Sequence, residues 1–65
     1  MFNAAEFRAA MARCNMTKKE VAAVLGISEV TLWRKLNRDG DFTREEINKL
    51  IDALQIEDPN AVFFA

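Results

Sequence analysis

The stretch Thr17 to Asn37, TKKEVAAVLGISEVTLWRKLN, decides the fold of this chain. Thr17 is a good N-cap, and Glu20 three residues later completes a capping box. Val21, Ala22 and Leu25 follow at i, i+1 and i+4, an apolar stripe of helical period. Gly26 comes directly after, where a helix most often stops in the left-handed conformation that glycine tolerates. Ile27 puts one apolar residue in the turn, and Ser28 caps a second helix at once. That helix carries Leu32 and Leu36 inward at i, i+4. Two helices with so short a connection cannot pack antiparallel, so they cross steeply, as a helix-turn-helix does.

On either side of this stretch the pattern stays helical. Asn3 caps a first helix with Glu6 three residues on, and Phe7, Ala10, Met11 and Cys14 share one buried face, with Arg8 and Arg13 off it. After Asn37, Arg38-Asp-Gly-Asp-Phe42 is a loop of turn formers, which Phe42 pins to the core as a hydrophobic staple. Thr43 caps a fourth helix with Glu46 in the reciprocal position, and Ile47, Leu50, Ile51 and Leu54 form the stripe that closes the bundle. Asp58-Pro59 opens a short last helix from Asn60 to about Phe63. The fold class is therefore all-α, a compact bundle of four to five short helices, with residues 1–65 as a single helix-turn-helix domain.

At 65 residues the chain is near the lower limit for an autonomous core, and 51% hydrophobic residues suit a small helical bundle. No apolar run of membrane-spanning length and no signal peptide is read, which points to the cytosol. One cysteine offers no internal disulfide, and without histidine a zinc site is not expected. Cys14 reads as a reduced thiol at the end of the first helix. No cofactor, metal or small-molecule ligand is expected. The net charge of −1 divides unevenly. Residues 1–38 hold seven basic side chains against three acidic, a net of +4, while residues 39–65 hold two against seven, a net of −5. The positive half coincides with the helix-turn-helix, as a phosphate-facing surface requires.

Lys18, Ala22, Gly26, Ser28 and Leu32 meet the pattern polar-x-x-x-Ala-x-x-x-Gly-x-Ser-x-x-x-apolar. On these residues the chain resembles the lambda-repressor-like, Cro-type family of phage and bacterial DNA-binding domains. Leu36-Asn37 is similar to the Leu-Asn-Gly ending of many recognition helices there. The helix opening Thr43-Arg-Glu-Glu46 and the Phe63-Phe64 tail look like small phage-type regulators of this family. One departure is Lys35, where the family has a second apolar residue; Leu36 takes over its burial.

The resemblance implies a sequence-specific regulator that places helix 29–37 in the major groove of double-stranded operator DNA. It points to Glu29, Val30, Trp33 and Arg34 as base-facing. Arg34 suits guanine O6 and N7, Val30 a thymine methyl, and Glu29 a cytosine amino group, unless Glu29 serves only to repel wrong sequences. Trp33 either packs at the groove's edge or is half-buried against the loop with Phe42, and burial is favoured because exposed tryptophan is uncommon. Thr17, Lys18 and Lys19 at the start of the motif's first helix, with Ser28, Thr31, Lys35, Asn37 and Arg38, are the phosphate candidates.

Specificity from so small a module calls for two copies on half-sites about 34 Å apart, hence a homodimer at least on DNA. The apolar end offers Val62, Phe63 and Phe64 as its interface, with one phenylalanine inward and the other available to a partner. The alternative is a protein-interaction adaptor or antirepressor that kept the fold and lost DNA contact, which Glu29 and the acidic C-terminal half favour. An enzyme is the poorest reading, since no histidine, cysteine pair or Gly-rich phosphate loop is present.

Overall fold

Each of five helices begins on a capping side chain. In the computed structural model, which describes Met1–Ala65, Asn3 opens α1 (Ala4–Arg13), Thr17 α2 (Lys18–Leu25), Ser28 α3 (Glu29–Asn37), Thr43 α4 (Arg44–Ala53) and Asp58 α5 (Pro59–Phe63). Each cap oxygen accepts the N–H three residues on, satisfying one of the donors a helix start leaves open. Thr17 and Thr43 form complete capping boxes with Glu20 and Glu46. At Asn3 the box stays one-sided, because its N–H donates to the Val62 carbonyl at 2.7 Å and ties α1 to α5.

Three helices end alike. Asn15 (φ 54°), Gly26 (φ 71°) and Gln55 (φ 51°) turn left-handed after α1, α2 and α4. The next amide then reaches back: Met16 to Met11 at 2.9 Å, Ile27 to Ala22 at 3.0 Å and Ile56 to Ile51 at 3.0 Å. Met16, Ile27 and Ile56 are all apolar and fold onto the core, the hydrophobic contact that accompanies this stop.

Phe7, Val21, Leu32, Leu50 and Leu54 form the most deeply buried part of the core. Leu32 lies where the stripe places it, between the helices of the motif. Leu36 is half-buried against the same cluster. α2 packs on both α3 and α4, and α1 on α5. The two halves of the chain therefore share one core, and residues 39–65 act as the cradle of the motif. Cys14 is half-buried and its thiol donates to the Leu54 carbonyl at 3.0 Å, joining the ends of α1 and α4.

Four phenylalanines from separate segments meet at one side. Phe2, Phe7, Phe42 and Phe63 have ring centroids 5.6–6.3 Å apart in five pairs, stacked for Phe7 and Phe42 and edge-on for Phe42 and Phe63. Phe42 thus pins the loop as its position suggests. Phe2, to which the periodicity assigns no role, is buried at the centre of this cluster. Gly40 lies against its ring, where a Cβ would overlap it, and Asp39 accepts the Phe2 N–H at 3.3 Å.

Candidate nucleic-acid interface

Burial of Leu32 and partial burial of Leu36 orient α3, and its opposite side is left free. Glu29, Val30, Trp33, Arg34 and Asn37 are all exposed there. Their spacings of one and three residues form one continuous outward stripe on a rod about 13 Å long at 1.5 Å per residue. Val30 is 66% and Trp33 59% exposed, a large apolar surface for so small a domain. The expected burial of Trp33 against Phe42 is corrected: Phe42 spends its ring faces on other phenylalanines, and Trp33 projects outward beside Lys18. All four residues expected to face bases therefore share one surface.

Lys35 lies on a different side and is not a free surface cation. Its ammonium meets the Glu46 carboxylate at 3.2 Å and donates to the Asp41 carbonyl at 3.1 Å. Its own carbonyl accepts the N–H groups of Arg38, Gly40 and Asp41 at 3.1–3.2 Å. A position that departs from the apolar pattern is thus a polar strap binding α3 and its loop to α4, with its charge compensated locally. This removes Lys35 from the set of unengaged phosphate partners. Burial alone would raise the Glu46 carboxyl, but the Thr43 amide, the Lys35 ammonium and the Thr43 hydroxyl together outweigh it and hold it below its ordinary value.

The remaining phosphate candidates differ in what already occupies them. Ser28 and Thr31 hydroxyls bond each other at 2.9 Å, and Thr31 is half-buried. The Asn37 side-chain amide donates to the Trp33 carbonyl at 2.7 Å, closing the end of α3. Thr17 and Glu20 are locked in their capping box, in which the Glu20 carboxylate accepts from the Thr17 amide and hydroxyl. The side chains of Lys18, Lys19 and Arg38 are exposed and free of ion pairs, as are Arg34, Arg8 and Arg13. The sole pairs are Lys35–Glu46 and the exposed Lys49–Glu45, so almost all the positive charge of residues 1–38 is uncompensated by contact.

At the chain end, Val62 and Phe63 are core residues and Phe64 is 62% exposed. The expected interface set is corrected accordingly. Val62 and Phe63 are spent on the monomer's own packing, and Phe64 alone is available to a partner.

Arg8 is the residue that sequence reasoning left aside. It shares a cleft with Lys18, Trp33 and Asn37, whose floor includes Phe7 and Met11. No periodic signal announces this meeting, because it depends on how α1 lies across the motif.

A short turn, a buried plug and a freely exposed second helix make this a helix-turn-helix DNA-binding domain. The family model described as bacterial regulatory protein, Fis family, matches residues 4–38, from the start of α1 to the residue after α3. That span is more than half of the chain, and the chain belongs to this family of helix-turn-helix DNA-binding regulators. No curated protein and no solved structure matches it. The family is thus the Fis one, where the sequence resembles the Cro type, and α4 and α5 lie outside the matched segment.

Proposed function

We propose that the chain is a sequence-specific transcriptional regulator of the Cro-like, phage or prophage repressor type, which lays α3 in the major groove of an operator. One observation carries this reading: the outward stripe of α3 is unobstructed, and Arg34 stands on it without an ionic partner. Arg34 pairs with a guanine edge, Val30 meets a thymine methyl, and Glu29 accepts from a cytosine amino group. Trp33 adds an apolar contact to the same surface. Lys18, Lys19 and Arg38 hold backbone phosphates on the flanks.

The domain spans 25 × 24 × 20 Å, less than one turn of duplex at about 34 Å. A single copy therefore reads one half-site, and a two-fold pair reads an operator. Phe64, with Met1 exposed nearby through the bond from its ammonium to the Ala65 carbonyl, supplies the apolar contact of that pair. The protein acts in the bacterial cytosol on the nucleoid.

The second reading is a protein-binding adaptor, favoured by the exposure of Val30 and Trp33 next to Glu29. Gel-shift titrations over a range of salt, on duplexes selected from a random pool, separate the two. Affinity that falls steeply with salt supports the regulator. Failure to shift any duplex at low salt supports the adaptor.

A further inference from the structure

We infer that α1 belongs to the DNA-facing surface: the cleft between α1, the start of α2 and α3 takes a backbone phosphate and its deoxyribose, beside the groove that α3 enters. This rests on the reading of the chain as a DNA-binding regulator and extends it to Arg8. Arg8 comes from α1 and Lys18 from α2, yet both line the one cleft, of about 200 Å³. No acidic residue lines it, and neither cation has an ion-pair partner. Two like charges gathered in a partly apolar recess concentrate a positive potential there, which an anion relieves.

The shape suits a phosphate joined to a sugar more than a bare ion. Phe7 and Met11 contribute an apolar floor beneath the two cations. Trp33 forms one wall and also borders a second, shallower depression with Glu29, Val30 and Lys18. The indole is therefore a ridge with the base-facing stripe of α3 on one side and the cationic cleft on the other. A strand running along α3 crosses this ridge, its sugar against the ring and its phosphate toward Arg8 and Lys18.

The test compares wild type with Arg8→Gln and Arg8→Lys, each on a duplex selected from a random pool and on a scrambled duplex. Losing one phosphate contact lowers the slope of log affinity against log salt by about 0.9, so between about 50 and 200 mM salt Arg8→Gln loses about 3.5-fold less affinity than wild type. At low salt Arg8→Gln binds both duplexes more weakly by the same factor, and Arg8→Lys restores the slope. Arg8 is exposed, so the fold is retained, which circular dichroism melting checks. Lys18→Gln is the parallel variant and behaves like Arg8→Gln. A wild-type slope kept by both glutamine variants overturns the inference and leaves the regulator reading standing. A loss confined to the selected duplex overturns it too, by making Arg8 a base reader. Saturable quenching of Trp33 by inorganic phosphate in the absence of DNA assigns the cleft to a free anion. A wild type that binds neither duplex removes both this inference and the function beneath it.

Discussion

Replacing Gly40 by alanine probes how the loop after α3 is locked to the start of the chain. Two costs arise there. The backbone sits at φ +67°, and an L-residue in that region costs about 1–2 kcal/mol. In addition the new Cβ overlaps the Phe2 ring, which is buried against Phe7, Phe42 and Phe63 and must move. Complete loss of a buried phenylalanine costs about 3–5 kcal/mol, so partial displacement adds about 2 kcal/mol. Gly26 supplies the control, since it has nearly the same φ of +71° and no atom near its would-be Cβ. Gly26→Ala should cost about 1 kcal/mol and Gly40→Ala about 3 kcal/mol. A domain of this size has about 3–10 kcal/mol in all, so the second change brings it close to unfolding. Urea denaturation followed by far-ultraviolet circular dichroism measures both, Trp33 being too exposed to report on the core by its fluorescence. Equal costs for the two alanines, or Phe2 ring resonances unmoved by Gly40→Ala, would refute the reasoning.

Other expectations follow from single contacts. The Glu46 carboxyl titrates below its ordinary value of 4.5 in the folded chain, so its charge stabilises the fold above that value and this contribution is lost as pH falls through the lowered one. Wild type should therefore exceed Glu46→Gln by about 1 kcal/mol near neutrality and converge with it in acid; parallel pH profiles would contradict this. Gln55→Gly relieves a left-handed residue at the end of α4 and should stabilise the domain by about 1 kcal/mol in the same urea assay, with no gain counting against the strain. Arg34→Ala should cost about 1–3 kcal/mol of affinity, relax the preference at one base position and leave the melting temperature unchanged. An equal loss on every duplex would make Arg34 a phosphate contact instead.

The helices were legible because their signals are local. Thr17 with Glu20, Thr43 with Glu46 and Gly26 after Leu25 fix starts and stops within one turn of chain, and the structure places α2 and α4 between them. The inward stripe Leu32 and Leu36 likewise determines which residues of α3 face out. Contacts between distant segments carry no such mark. Phe2 joins Phe42 and Phe63 only once the bundle closes, and Lys35 finds Glu46 eleven residues away on another helix. The anomaly at Lys35 was visible as a departure from pattern, but its partner was not. Trp33 is exposed, against the general tendency of tryptophan toward burial, because it stands about 100° round α3 from the buried Leu32 and one turn from the exposed Val30 and Asn37. Arg8 had no signal at all, being one cation among several on a solvated face.

The outward stripe of α3 has a consequence for how such a domain changes over generations. Glu29, Val30, Trp33 and Arg34 are exposed, and none of their own side chains makes a hydrogen bond or ion pair, so exchanging them alters the outward surface of α3 without disturbing the contacts that hold the fold. Each exchange at such a site moves stability by only about 0.5 kcal/mol. On the proposed reading of α3 as the groove-facing helix, the scaffold can thus be readdressed one residue at a time, each intermediate still folded.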